Sequence, residues 1–188
     1  MAYLFASKAI GLNLNTERVI FMIRLRSLRD SDVTQIGHWP PYPGDMEQMD
    51  YALRERGWLK EFFLKPDTSC YAVEDDGDLI GFTILAKTGE TDAEFRIALR
   101  TDKTGLGLGK SITCMTLQKG FEDLGLSRIH LIVRKNNVRG IMLYQRLGFV
   151  DRGEYQKEIQ GTPVDFWLMD ICREEYARMT ALSVGRMY

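Results

Sequence analysis

Between Thr104 and Ser111 the chain reads Thr-Gly-Leu-Gly-Leu-Gly-Lys-Ser, with three glycines at alternate positions followed by a lysine and a hydroxyl. Glycine lets a backbone approach a ligand closely. Backbone N–H groups that lead into a helix make an anion cradle, because the first turn has unsatisfied donors and a favourable dipole. The chemistry on offer is phosphate binding. A second pair of candidates lies downstream: Asn137 and Tyr144 are seven residues apart. On a helix that spacing is nearly two turns, so the two side chains share a face roughly 10 Å apart.

Three kinds of phosphate compete for the loop. A nucleotide-triphosphate loop, G-x-x-x-x-G-K-[ST], needs its first glycine at position 104, which is threonine, and an Asp after the next strand, where "HLIV" runs into Arg134. A dinucleotide fingerprint, G-x-G-x-x-G, needs its third glycine one place later. It also needs an acid about 20 positions on, where Arg134 and Lys135 stand. The pyrophosphate of coenzyme A asks less: a strand that ends, a turn of exposed N–H groups, and a helix. "IALRTDKTGLGLGKSITCMTLQKGF" supplies these in order, with Lys110 adding positive charge.

The elements that must carry these groups follow from periodicity. "IRLRSL" (Ile23–Leu28) alternates as a half-buried strand does, and "RDSDVTQIGHW" places Asp and Ser to cap a short helix. After the rigid "PPYPG", the residues Met46, Met49, Leu53, Trp58 and Phe62 give helical spacing to "DMEQMDYALRERGWLKEFFLK". "SCYAVED" and "LIGFTILAK" form a hairpin around "DGD", and "AEFRIALR" is the strand before the glycine loop. Cys114, Leu117, Phe121 and Leu124 make one face of the next helix apolar. "RIHLIVR" is a strand, and "NNVRGIMLYQRLGF" is a helix with Asn136 or Asn137 as its cap and Gly148 at its C-terminal end. "VDRGEYQKEI" and "PVDFWLMDI" form a final hairpin across "QGT", and "REEYARMTAL" is a closing helix.

Two stretches of this chain resemble the GNAT superfamily of N-acetyltransferases. Thr104–Gly109 looks like the family's Q/R-x-x-G-x-G/A, with threonine for the usual Gln or Arg. Asn137-Val138-Arg139-Gly140-Ile141-Met142-Leu143-Tyr144-Gln145-Arg146-Leu147-Gly148-Phe149 looks like N-x-x-A-x-x-L-Y-x-x-x-G-F, with Gly140 for the alanine. The resemblance covers roughly Met22 to Asp170. It implies an α+β fold, a twisted mixed sheet splayed at a cofactor cleft with helices on both faces. It implies acetyl-CoA as co-substrate, no metal, and attack of a primary amine on the thioester.

The resemblance also implies a role for each site residue, as follows. Tyr144 faces the departing sulfur and Asn137 the pantetheine arm. Ile97, Ala98 and Leu99 offer their backbone to the pantetheine as to an added strand, with a Leu99 N–H toward the thioester carbonyl. Gly105, Leu106, Gly107, Leu108, Gly109 and Lys110 hold the pyrophosphate. Relatives that acetylate ribosomal-protein N-termini carry a Glu five residues before the Asn, where this chain has Ile132. Others use a Glu in the strand before the loop, near Glu94; a water-relayed proton is the alternative. The acceptor, a protein N-terminus, polyamine or small amine, is expected to meet Trp39 and Tyr42 in "GHWPPYPGD". A non-catalytic acyl-CoA-binding domain is the rival reading. Many relatives are dimers, so a homodimer is expected.

Composition bounds the rest. Of 188 residues 45% are apolar and 27% charged, which fits one globular domain over 22–170, with an extension over 1–21 and a helical tail over 171–188. Lys+Arg (25) and Asp+Glu (26) nearly cancel, so a nucleic-acid partner is not expected. Three widely spaced cysteines and two histidines show no metal-ligand spacing, and a reducing cytoplasmic setting fits them. No apolar run approaches the ~18 residues of a membrane span, and "MAYLFASKAI" lacks the basic start of a signal peptide.

Overall fold

Leu25, between outward Arg24 and Arg26, lies opposite buried Val73 of the neighbouring strand, the pairing that alternation at the start of the domain demands. The structure is a computed structural model and describes residues 21–54, 57–159 and 161–184; all but the last residue of the expected extension over 1–21 lies outside them, as does Gln160 of the "QGT" turn. The elements are β1 (Ile23–Ser27), α1 (Asp30–Gly37), α2 (Trp58–Phe62), β2 (Thr68–Asp75), β3 (Asp78–Lys87), β4 (Asp92–Leu99), α3 (Leu108–Gln118), β5 (Arg128–Arg134), α4 (Val138–Arg146), β6 (Val150–Ile159), β7 (Thr162–Cys172) and α5 (Arg173–Val184). Seven strands hydrogen-bond in the order β1-β2-β3-β4-β5-β7-β6. The sheet is mixed: β1 and β2 are antiparallel, β4 and β5 parallel, and β7 runs antiparallel to both β5 and β6. The α+β architecture is the one expected.

The chain groups into two compact units. The first holds Met1–Lys65, Ser69–Thr83 and Ile97–Ile112; the second holds Pro66–Thr68, Ile84–Arg96 and Thr113–Tyr188. In the first unit Val73, Ile80, Leu108 and Ile112 form a buried cluster, flanked by Ile23, Leu25, Ile97 and Leu99. The start of α3 is thereby fixed against β2, β3 and the end of β4. In the second unit the chain continues from α3 through a π-turn, Lys119–Asp123, where Gly120 lies against Ile129, Leu126 and Leu85; an added Cβ would come within 2.5 Å of Ile129 Cδ1. Phe121 stacks on Tyr176 of α5 at 4.8 Å.

One expected helix is broken. The spacing from Met46 to Phe62 suggests a continuous helix, but Gly44–Leu53 winds as a 3₁₀ helix and only Trp58–Phe62 is α-helical. Two features cause the break. Gly57 brings its backbone against the carbonyls of Tyr51 and Ala52, where any Cβ would clash at 2.0 and 2.8 Å. Arg54 is drawn back, its guanidinium forking onto Asp50 and reaching the carbonyls of Gly37 and Trp39.

A buried ion cluster ties β1, α1 and β2 together. Arg26 places its fork on Asp32 (2.5 and 2.8 Å) and its Nε on Glu74 (2.6 Å), while Arg24 bonds the other Glu74 oxygen (2.6 Å). Asp32 also accepts from the Arg29 N–H at 2.8 Å, capping the start of α1. Hydrogen bonds from Arg26 hold Asp32 below the usual carboxylate range. At Glu74 burial alone would raise the carboxyl, but the bonds from Arg26 and Arg24 outweigh it and lower it.

Candidate active site

The strand before the glycine loop alternates its polar groups between two edges. Arg100 N–H donates to Ile80 C=O (2.8 Å) and Asp92 C=O accepts from Thr88 N–H (2.9 Å), so even-numbered positions face β3. Thr91 C=O accepts from Ser127 N–H (2.8 Å), so odd-numbered positions face the β5 edge. The pairing with β5 covers Asp92–Glu94 only. Ile97 and Leu99 therefore lie past it, with their N–H and C=O turned away from β3. Gly81 in β3 permits a close approach on the other side, where a Cβ would meet Ala98 O at 2.8 Å.

After Leu99 the chain is anchored by Arg100. Its guanidinium takes both oxygens of Asp78 (2.9 and 2.8 Å), and its Nε reaches Asp102 (2.7 Å). The loop then opens. Gly105 (φ 75°) and Gly107 (φ 79°) are both left-handed, and an added Cβ would meet nothing within 4 Å at either. Left-handed residues alternating with ordinary ones turn successive N–H groups into one concavity, a nest suited to anions. Thr104, where the family has Gln or Arg, bonds its hydroxyl to Thr101 C=O at 2.8 Å and so shapes the turn. The loop leucines divide: Leu108 is buried, whereas Leu106 is 47% exposed. Lys110 is exposed. The residues fit a pyrophosphate, with an open glycine backbone and the free N-terminal donors of an 11-residue helix.

Trp39 and Tyr42 are both buried, not at an open mouth. Tyr42 donates its hydroxyl to Leu99 C=O, and burial pushes that hydroxyl up to about 12. Trp39 Nε1 is buried without an acceptor among the described residues.

In the second unit Tyr144 projects from α4 into an aromatic nest, edge-on to Phe95 of β4 (6.4 Å) and tilted against Phe149 (5.5 Å). Burial pushes its hydroxyl up to about 12, so it is protonated throughout the working range. Asn137 caps α4, its side-chain oxygen accepting from Gly140 N–H at 3.0 Å. A Cβ at position 140 would lie 2.7 Å from Asn137 Nδ2, so glycine in place of the family's alanine lets Asn137 fold over the helix start. Glu94 is paired with Arg96 at 2.8 Å and lies opposite His130 in the sheet. Burial lowers His130.

Sequence reasoning did not find the Arg26–Asp32–Glu74 cluster, the Arg100 anchor or the Tyr42–Leu99 bond. The outward Arg24 and Arg26 of "IRLRSL" were one available signal, since buried-edge arginines need carboxylates. Burial pushes the Cys70 thiol up to about 11 and raises Cys172 as well, so neither offers a ready thiolate. Among the described residues no group of three His, Cys, Asp or Glu is arranged to hold a metal, and no helix is long and apolar enough to cross a membrane.

The chain is similar to several known N-acetyltransferases. The spermidine N(1)-acetyltransferase of Escherichia coli K12 is 33% identical over 90 residues, covering 47% of this chain and 48% of that protein. The mycothiol acetyltransferase of Paenarthrobacter aurescens is 31% identical over 116 residues, covering 58% of this chain and 34% of that protein. The chain thus spans about half the length of the first relative and a third of the second. The crystal structure of spermidine N-acetyltransferase from Vibrio cholerae in complex with CoA and spermine superposes with a TM-score of 0.69 at 25% identity, covering 82% of this chain and 98% of that one. Residues 31–149, from α1 through the glycine loop to the end of the Tyr144 helix, match the acetyltransferase (GNAT) family, and the chain belongs to it.

Proposed function

We propose that this protein transfers the acetyl group of acetyl-CoA to a primary amine by direct attack on the thioester, with a polyamine as the favoured acceptor. The observation that carries the reading is the open loop: two left-handed glycines with nothing within 4 Å of an added Cβ, entered from a strand whose last residues lie past its pairing with β5. The likeness to polyamine acetyltransferases supports the acceptor class. The reading carries with it a homodimer and a cytoplasmic setting.

Each step draws on a named group. The N–H groups of Gly105–Gly109, with Lys110, take the pyrophosphate. Ile97–Leu99 take the pantetheine as an added strand, and Leu99 N–H turns to the thioester oxygen as negative charge develops there. Asn137 holds the arm through the amide hydrogens its capping bond leaves over. Tyr144 meets the departing sulfur. With Cys70 held protonated, an acyl-enzyme on that thiol is disfavoured, and initial-velocity plots are expected to intersect, as for a ternary complex, and not to run parallel.

The proton on the amine is the remaining task. A primary amine near 10.4 is almost wholly charged at neutral pH. Glu94 is the chain's own candidate base, but its carboxylate is already engaged in an ion pair with Arg96. A water relay is therefore favoured. Glu94→Gln is expected to change kcat/KM by no more than about threefold; a fall of about 100-fold would assign the proton to Glu94.

Isothermal titration with acetyl-CoA, ATP and NAD in parallel tests the binding half. Roughly micromolar binding of acetyl-CoA alone is expected, weakened about tenfold or more in Gly107→Val, where a branched side chain cannot keep the left-handed backbone that shapes the loop. Preference for ATP or NAD would overturn the reading.

A further inference from the structure

The segment after α1 is clamped at every joint, and its free end reaches the strand that the proposed chemistry uses. Arg54 forks onto Asp50 (2.6 Å for both bonds) and bonds Trp39 C=O (3.0 Å) and Gly37 C=O (3.3 Å). Asp50 in turn accepts from Tyr42 N–H at 3.2 Å. Between these points lie Pro40 and Pro41, whose φ angles are fixed by their rings. The Tyr42 hydroxyl, thus aimed, donates to Leu99 C=O.

That carbonyl is on the edge of β4 turned from β3, past the last pairing with β5. An open edge offers donors and acceptors alternately to any added strand. Tyr42 occupies the last acceptor on that edge, the carbonyl of the same residue whose N–H the proposed chemistry uses. The same peptide unit is fixed from its other side, because Arg100 N–H donates to Ile80 C=O. Both ends of the Leu99–Arg100 peptide plane are therefore held, one by β3 and one by Tyr42.

We propose that Tyr42, aimed by the Arg54–Asp50 clamp, is a positioning residue for acetyl transfer that ends the free edge of β4 at Leu99 and so fixes where the thioester comes to rest. The inference rests on the acetyl-transfer reading above and adds to it the device that sets the register. It also gives buried Tyr42 a task that needs no contact with the acceptor. Burial keeps the hydroxyl protonated, so the bond persists across the pH range of activity.

The test is steady-state kinetics of Tyr42→Phe with acetyl-CoA and spermidine, beside thermal melts. A thioester shifted along the edge reacts more slowly but binds as well, so kcat is expected to fall about tenfold with both KM values within about twofold. Asp50→Asn, which loosens the clamp and keeps the hydroxyl, is expected to lower kcat about threefold, and remains informative should Tyr42→Phe fail to fold. The double variant should be no slower than Tyr42→Phe, because the two act as one unit; independent structural damage would multiply. An active wild type with kcat retained in Tyr42→Phe, or with kcat retained in Asp50→Asn, overturns this inference alone. A rise in both KM values in step with a lowered melting point would make Tyr42 merely structural and overturn it too. A wild type that does not turn over acetyl-CoA overturns the acetyl-transfer reading, and this inference with it.

Discussion

Replacing Tyr144 by phenylalanine is expected to lower kcat about 100-fold, near 2.7 kcal/mol of transition-state stabilisation, while acetyl-CoA affinity stays within about twofold. The ring contacts with Phe95 and Phe149 survive the change, so the fold should hold. What is lost is one hydroxyl. Burial pushes it up to about 12. A thiol titrates near 8.5, so full proton transfer from this tyrosine to the leaving sulfur is uphill by about 3.5 units, or roughly 5 kcal/mol. In the proposed mechanism the hydroxyl therefore serves as a hydrogen-bond donor to the departing thiolate, a charge-assisted bond worth about 2–3 kcal/mol. A raised tyrosine stays protonated as pH rises until its own pKa is reached. The pH–rate profile of the wild type should then show no loss from this group below about pH 11. An unchanged kcat in Tyr144→Phe would instead fit a domain that binds acyl-CoA without turning it over.

The second large effect is on stability. Arg26→Gln is expected to cost about 2 kcal/mol and lower the melting point by about 4–8 °C at pH 7. Arg26 alone serves two buried carboxylates, Asp32 and Glu74, each 5% exposed. The cost stays moderate because Asp32 retains the Arg29 N–H and Glu74 retains Arg24, which is 67% exposed and wetted. The pH dependence follows from the direction of the shifts. Both carboxyls are lowered in the folded protein, so their contribution is complete above the ordinary carboxylate range, about pH 4, and is lost as pH falls through the folded values. The gap in melting point between wild type and Arg26→Gln should be full at pH 7 and shrink below about pH 4. A gap that persists unchanged into acid would mean that Arg26 contributes packing and not charge.

Much of the frame was legible because it rests on local signals. Alternation marked β1; turn residues marked the β2–β3 and β6–β7 hairpins; Asn136 or Asn137 and Gly148 marked the ends of α4, where Asn137 is the cap and Gly148 is left-handed at φ 87°. The glycine loop was legible for the same reason, since left-handed backbone at Gly105 and Gly107 is a property of residue type. What could not be read depends on partners far apart in sequence. Tyr42 reads as an aromatic near an acceptor mouth until Leu99, 57 positions away, is seen to take its hydroxyl. Arg26 reads as a solvent-facing strand residue until Glu74 is brought beside it by β2. The spacing from Met46 to Phe62 is helical, yet Gly57 and the turned-back Arg54 divide the segment. Glu94 lies near a family position, and its ion pair with Arg96, two places on, appears only in the structure.

Release of free CoA from acetyl-CoA, followed with and without spermidine, tests the central claim most directly. The account predicts release that depends on the amine, saturates in both substrates and yields acetylated spermidine by mass spectrometry. Release that ignores the amine, or none at all despite tight acetyl-CoA binding, would contradict it.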